Sequence, residues 1–303
     1  MDPILALDIG GTNLRIGLVE PDLTLCEPVK VLSSQLLCIG ENAIASLIRI
    51  IKNDYDKQKI RAIAVGIPGA VSNDHKAAIL TPNLKDTNGL HLMHHTDVGT
   101  PLSEAFGVPC IVSKDTDQLL ACDIAMNHLS GIIAGCYIGT GLGAAVSIHG
   151  TPLSGSKGVA MDAGHMHLYR NSQKCGCGKT GCAEAVGSGT ALEAIHRQYF
   201  ADMSLEDIFL RCSDTPEILS FLYDCAQVPA TLATLFNPDV LILGGGVVEG
   251  KGFPMEQFSE IIRSLVGSAV VEEGFRILYP HPLPEKGVIG GACLADRILN
   301  YGG

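Results

Sequence analysis

Short apolar runs broken by glycine alternate along this chain with stretches whose apolar residues recur at helical spacing. Residues 4–19 form two apolar runs split at Gly10-Gly11-Thr12, which predicts a strand, a tight turn and a returning strand. Ile44, Leu47, Ile48 and Ile51 stand at i, i+3, i+4 and i+7, the stripe of an amphipathic helix. Apolar runs follow at 60–67, ended by Pro68-Gly69, and at 108–112. The second predicts a buried strand that delivers Ser113-Lys114-Asp115-Thr116-Asp117 to its C-terminal end, ahead of a helical pattern with Leu119, Leu120 and Ile124. Open α/β sheets place their ligand chemistry at such strand ends.

The second half repeats this grammar. Residues 124–156 hold no Asp, Glu, Lys or Arg, but glycines and a proline lie among them, so two buried strands at 131–138 and 142–148 are expected rather than a membrane span. Ala191, Leu192, Ile195 and Tyr199 mark a helix. Thr215-Pro216 caps and opens a longer one carrying Ile218, Leu219, Leu222 and Ala226, which Pro229 is expected to kink or interrupt. Asn237-Pro238 stops that pattern, and Val240 to Leu243 then runs into Gly244-Gly245-Gly246. A helix with Phe258, Ile261, Ile262 and Leu265, a strand at 276–279 and a last helix from about Gly290 close the chain. Ile9-Gly-Gly-Thr12 and Ile138-Gly-Thr-Gly141 each sit in the turn of an apolar strand pair. They point to a duplicated fold with one glycine turn per half facing a common cleft.

At 303 residues, 47% hydrophobic and 17% charged, the chain can bury a sizeable core, and two domains are expected on length. A net charge of −11 repels a phosphate backbone, which disfavours nucleic acid as the partner and favours a small molecule. Eleven cysteines, an odd count without a signal-peptide pattern, suit a reducing, cytoplasmic setting. Cysteines that cluster are then candidates for metal or catalysis.

One such cluster is Cys175-Gly-Cys177-Gly-Lys-Thr-Gly-Cys182, ten residues after His165. Three thiolates and an imidazole satisfy a closed tetrahedral Zn²⁺ site with a structural role, since catalysis at the metal needs an open position. Three reduced thiols are the plainer alternative. Gly178-Lys179-Thr180 copies the end of a P-loop, but Gln173 stands where its first glycine belongs. The turn in Asp8-Ile-Gly10-Gly11-Thr12-Asn13-Leu-Arg15 lacks the dinucleotide fingerprint. Its backbone N–H groups would make an anion nest and Asp8 would hold a Mg²⁺-bound water, against the plain reading of a hairpin turn. Gly139-Thr140-Gly141-Leu-Gly143 offers a second nest, and Gly244, Gly245 and Gly246 a flat backbone surface for a base or ribose. Three such turns point to a phosphorylated nucleotide. Asp115 is the candidate base. Capping a helix is the ordinary job of an Asp so placed, and Asp117 has equal claim to either role.

Taken together, these residues resemble the ROK family (repressor, open reading frame, kinase) of sugar kinases. The resemblance rests on Asp8-x-Gly-Gly-Thr-Asn-x-Arg15, Gly66-x-Pro-Gly69, Thr81-Pro-Asn-Leu84, the Asp115 turn, Ile138-Gly-Thr-Gly-x-Gly143, Gly164-His165, the cysteine run ending at Glu184, and Asn237-Pro-Asp-x-x-x-x-Gly-Gly-Gly246. It implies an α/β chain with a duplicated actin-like ATPase (ribonuclease H-like) fold, two lobes around a central cleft. The lobes would be 1–115, completed by a C-terminal helix 289–303, and 116–288. ATP and Mg²⁺ would bind at Asp8, Gly10, Gly11, Thr12, Asn13 and Arg15, at Gly139, Thr140, Gly141 and Gly143, and at Gly244, Gly245 and Gly246. Asp115 would be the catalytic base. A hexose would be held by Gly69, Asn83, Lys114, Asp115, Asp162, His165 and Glu184. A structural Zn²⁺ on His165, Cys175, Cys177 and Cys182 would shape the sugar pocket, His165 serving metal and sugar, and the protein would be a homodimer.

Two departures bear on substrate: Lys114 stands where the family usually has Asn, and Asp162 where it usually has Glu. A basic residue at 114, with Val71-Ser-x-Asp upstream, is similar to the branch that phosphorylates D-allose at its 6-hydroxyl, although Asp162 fits that branch less well. Glucose, fructose and N-acetylmannosamine are the alternative substrates, and a catalytically idle sugar-binding regulator is the alternative of another class. Repressors of the family carry a DNA-binding segment ahead of the first phosphate loop; with seven residues before Asp8, a kinase is expected instead.

Overall fold

The computed structural model describes residues 1–39 and 42–301. They gather into two compact units, Met1–His128 with Ser154–Ala160 and Leu283–Gly303, and Leu129–Leu153 with Met161–Pro282. The first unit opens with the strand pair that the apolar pattern predicts. β1 (Ile4–Ile9) and β2 (Asn13–Val19) run antiparallel with Asp8 opposite Arg15. β3 (Lys30–Ser33) and α1 (Ala43–Tyr55) follow, and α1 buries Ile44, Leu47 and Ile51 as their spacing requires. Next come β4 (Ala62–Ile67), a small antiparallel sheet of β5 (Ala70–Val71), β6 (Ala77–Leu80) and β7 (Thr96–Asp97), then α2 (Gly99–Phe106), β8 (Cys110–Lys114) and α3 (Asp115–Met126). The main sheet has the order β3-β2-β1-β4-β8, with β1, β4 and β8 parallel.

The second unit holds β9 (Ile132–Ile138), β10 (Leu142–Ile148), β11 (Thr151–Pro152), α4 (Gly189–Tyr199), α5 (Ile208–Cys212), α6 (Pro216–Phe236), β12 (Val240–Gly244), α7 (Met255–Leu265), α8 (Ser268–Glu273) and β13 (Arg276–Leu278). Its sheet runs β11-β10-β9-β12-β13, again three antiparallel strands followed by two that continue in parallel. The echo of two glycine turns is therefore the echo of two whole sheets, each turn joining the central antiparallel pair. The chain then returns to the first unit as α9 (Lys286–Tyr301).

Several expectations need correction. α6 runs uninterrupted through Pro229, which is buried, as are Phe221, Leu222, Cys225 and Leu232 of the same helix. The buried apolar face of α6 offsets the roughly 3 kcal/mol cost of an interior proline. α6 is also long and apolar enough to span a membrane by length and composition, yet its apolar side fills the second unit's core. The last helix begins at Lys286, ahead of Gly290, and Gly302 and Gly303 of the expected 289–303 segment lie outside the described residues. The division does not fall at 115/116, because α3 packs on α9 and so belongs to the first unit. Residues 154–160 join that unit too, although both of their flanks belong to the second. Asn73 Nδ2 donates to Gly155 O (3.0 Å) and Lys114 Nζ to Ala160 O (2.9 Å), which hold this strap in place.

Strand alternation decides what the first sheet shows to each side. Leu5, Leu7 and Ile9 face the cluster that contains Leu47 and Ile51 of α1, whereas Ile4 and Ala6 meet Val288, Ala292 and Ala295 of α9. Asp8 lies on this second face. α9 approaches it at a stretch of small residues: a Cβ at Gly287 would overlap the Asp8 carboxylate, and one at Gly290 the carbonyl oxygen of Gln118 in α3. Gly290→Val therefore has no repacking route open to it, because the obstacle is backbone. Urea unfolding should show a loss of at least about 3 kcal/mol, or no folded protein.

Candidate active site and metal centre

In the first unit, β8 ends at Lys114 and α3 starts at Asp115, so Lys114 occupies the cap position and Asp115 is the first helical residue. Its Oδ1 accepts the Thr116 N–H at 2.7 Å. Burial pushes the Asp115 carboxyl up to about 7, with the negative charge of Asp8 adding to the effect. Burial also raises the Asp8 carboxyl, against the opposing pull of Arg15, whose Nη1 lies 3.5 Å from Asp8 Oδ2. Asp117 is buried on the third helical residue, 3.7 Å from Lys114 Nζ. Lys114 is itself buried, and its ammonium is committed to Asp117 and to the Ala160 carbonyl of the strap.

The first glycine turn is braced from several sides. Gly10 N–H donates to Asn13 O (2.8 Å), Ser34 Oγ donates to Gly10 O (2.6 Å), and Ser34 N–H donates to Thr12 O (2.9 Å). The Gly10 amide is thus already spent, which narrows the anion nest expected there. Asn83 is exposed, and its carbonyl oxygen lies so near Gly11 that a Cβ there would come within 2.9 Å of it. Gly69 adopts φ 143°, a backbone open to glycine, with the Leu80 carbonyl where a Cβ would point. Gly69, Asn83 and the first glycine turn therefore converge through backbone contacts, with Asp8 and Asp115 electrostatically coupled beside them.

The second unit assembles the other glycine turns. Gly139 N–H donates to Gly141 O (3.0 Å), and the turn is gripped from behind by the start of α4. Gly189 N–H donates to Gly139 O (2.7 Å), while Thr190 N–H (3.3 Å) and Thr190 Oγ1 (2.9 Å) donate to Thr140 O. Glu184 Oε2 accepts the Leu142 N–H at 3.0 Å and stands where a side chain at Gly141 would have to go. Gly244, Gly245 and Gly246 leave β12 against the same turn, with Val247 N–H donating to Ile138 O (2.9 Å) and Gly245 N–H to Glu249 Oε1 (3.2 Å).

The cysteine loop folds beside this turn. His165, Cys175, Cys177 and Cys182 bring one ligand atom each to within 4.8 Å of one another. Cys177 Sγ and Cys182 Sγ are 3.7 Å apart, as are Cys175 Sγ and His165 Nδ1. About 3.7 Å is the edge of a tetrahedron with metal–sulfur bonds of about 2.3 Å, so the four side chains fit a closed Zn²⁺ site. Burial pushes the Cys175 thiol up to about 12, and gathering three thiolates here calls for a cation to hold their charge. His165 turns Nδ1 to the sulfurs, while its Nε2 lies 3.9 Å from Asp162 Oδ1 on an exposed carboxylate. Glu184 Oε1 is 3.8 Å from Cys175 Sγ, so its two oxygens reach the cysteine loop and the glycine turn respectively. Gly178-Lys179-Thr180 lies inside the cysteine loop, where Cys175 N–H donates to Lys179 O (2.8 Å), and not between a strand and a helix.

Sequence reasoning missed residues that act from behind these turns. Gln118 is fully buried. With its amide oriented to satisfy both ends, it accepts from Gly66 N–H (2.9 Å) and donates to Gly287 O (3.0 Å), tying β4 and α9 to α3. Ser34, Thr190 and Glu249 brace the three glycine turns, and His91 and His94 brace Thr81. None carries a motif. A polar residue with no charge pattern around it gives no sign in the sequence that its partner is a distant backbone group.

The chain matches the ROK family over residues 4–298, and it belongs to that family. It is 25% identical over 320 residues to a glucokinase of Thermotoga maritima, covering 96% of both chains. To an N-acetyl-D-glucosamine kinase of Pectobacterium carotovorum it is 25% identical, covering 79% of this chain and 82% of the other. Its fold is shared with the crystal structure of a ROK family glucokinase from Streptomyces griseus in complex with glucose and AMPPNP, with a TM-score of 0.78 at 21% identity over 97% of this chain and 99% of that one. For the cysteine loop, elemental analysis should find about one Zn²⁺ per chain, and Cys177→Ser should lose it together with thermal stability of the loop. Purified protein with no bound metal and an unchanged Tm on adding Zn²⁺ would show that the loop closes on thiols alone.

Proposed function

We propose that this protein is an ATP-dependent sugar kinase that transfers the γ-phosphoryl group of ATP to the 6-hydroxyl of a free hexose. Membership of the ROK family and the kinase activities named for its relatives support the class. The observation that carries the reading is Asp115, a carboxylate at a strand end beside Asp8 whose proton affinity is tuned to about 7. A base must hold its proton only transiently near the working pH. In this reading, Asp115 accepts the proton of the 6-hydroxyl as that oxygen forms its bond to the γ-phosphorus and the bond to the β–γ bridging oxygen breaks. The glycine turn of each unit, 10–12 in the first and 139–143 in the second, is a candidate holder of phosphate, and Gly244, Gly245 and Gly246 of the nucleoside. Asp8 fits the shell of a Mg²⁺, which when bound neutralises phosphate charge.

Among hexoses we favour D-allose, on Lys114 and the segment around Val71. The buried Lys114 ammonium acts here on Asp117 and the strap, so its bearing on substrate would come through the position of the strap and of Asp115. Glucose and N-acetylated hexosamines fit the same class, as the relatives' activities illustrate. Initial rates on allose, glucose, mannose, fructose, N-acetylmannosamine and N-acetylglucosamine decide between them, and a clear preference for glucose or an N-acetyl sugar would sink the allose assignment.

Asp115→Asn should lower kcat by at least about 10²-fold while calorimetry still detects the sugar. Because the raised carboxyl must be deprotonated to act, wild-type kcat should fall as pH drops through about 7 and level off above it. Near-normal turnover in the Asn variant would make Asp115 only a helix-terminal residue and move the search to Asp117.

A further inference from the structure

The Thr81-Pro82-Asn83-Leu84 turn is closed by Leu84 N–H donating to Thr81 O (3.2 Å) and is held from outside by two histidines that no motif marks. Thr81 is wholly buried, and its polar atoms all meet imidazoles. Its N–H donates to His94 Nδ1 (3.3 Å), its hydroxyl contacts the same nitrogen (3.3 Å), and its carbonyl oxygen lies 3.2 Å from His91 Nδ1. The two rings stack with centroids 3.8 Å apart and planes 26° from parallel. Pro82 has no N–H of its own to anchor the turn. Two residues on, the Asn83 carbonyl oxygen rests against Gly11.

These contacts fix protonation. A buried Thr81 N–H needs an acceptor, so His94 Nδ1 must be bare and its proton must sit on Nε2; His91 must carry its proton on Nδ1 to donate to the Thr81 carbonyl. Protonating His94 would set its Nδ1–H against the N–H of the buried Thr81 and place a cation on a stacked ring. Loss of that bond leaves the Thr81 amide unsatisfied, a penalty that falls on the turn.

We infer that His94, stacked on His91, is a positioning residue for sugar binding: in its neutral form it holds Thr81 and thereby Asn83, and its protonation releases the turn. The inference rests on the kinase reading above for the role of Asn83. Burial, His91, His95 and Lys85 all disfavour a charge on His94, so it stays neutral in the folded state below the usual histidine range. The sign follows: the hold is intact above that titration and is lost as pH falls through it. Residues 77–84, which form β6 and the turn packed against the rings, bring no titratable group, and Asp97 of β7 is engaged with the Thr100 N–H.

The test uses the Asp115→Asn protein, in which the base cannot titrate, and the hexose that the wild type phosphorylates fastest. Calorimetry from pH 5 to 8 should show sugar affinity falling as the solution becomes acid. Adding His94→Asn, whose side-chain oxygen replaces Nδ1 but cannot titrate, should keep the affinity at pH 7.5 and flatten the profile. Adding His94→Ala should weaken binding about tenfold at pH 7.5. Amide hydrogen exchange should show Thr81 protection lost in the Ala variant and kept in the Asn variant. Wild-type Thr81 protection and sugar affinity in the Ala variant would overturn the inference, as would an undiminished pH dependence in the Asn variant. If the wild type phosphorylates no sugar, the kinase reading fails by itself, and Thr81 protection in the His94→Ala protein alone decides whether His94 holds the turn.

Discussion

Much of the first unit depends on how closely α9 lies against α3 and β1. Helices normally pack 8–10 Å apart with side chains filling the seam. Here Gly287, Gly290 and Gly291 remove those side chains, and Gln118 fills the remaining gap with a polar group that links Gly66, α3 and α9. Close approach brings the start of α3 beside the end of β1, and with it Asp115 into the field of Asp8. The raised affinity of Asp115 for its proton is therefore a product of helix packing as much as of its own neighbours in sequence. A buried ion pair, Lys286 with Asp123 at 2.9 Å, joins the same two helices. It is worth little as stability but fixes how far one helix can slide along the other.

The two sheets share one topology yet brace their glycine turns differently. The turn after β1 is held by Ser34 and backed by Asn83, both from the first unit's own loops. The turn after β9 is held by Glu184, Gly189 and Thr190, all from the segment that leaves the cysteine loop. The strand order is common to the two sheets while each turn has its own support. The segment that leaves the cysteine loop is thus the scaffold of the glycine turn at 139–143.

The strands and long helices were legible because their apolar periodicity is strong and their ends carry glycine, proline or a cap. The charge-free stretch at 124–156 resolved into β9 and β10 within a residue of expectation. The three-stranded sheet of β5, β6 and β7 was not legible, since strands of two to four residues have too few positions to show alternation. Pro229 does not interrupt α6, because the rule for an interior proline is local, whereas the helix on either side of it is held by its buried apolar face. The candidate site residues were singled out by the turns and ligand spacings they occupy. Lys114 could be singled out as unusual but not oriented: that its ammonium points to Asp117 and the Ala160 carbonyl depends on the strap, which is close only in three dimensions.

The strap also has a covalent consequence. Because 154–160 belongs to the first unit while 129–153 and 161–282 belong to the second, the backbone passes between units at four places, 128/129, 153/154, 160/161 and 282/283. Neither unit is one continuous length of chain. No single cut releases either as an intact fragment, and a ribosome has made all of the second unit before it completes the first with α9. Synthesis therefore leaves Asp8 and Gln118 without α9, their closing partner, until the whole of the second unit has been made.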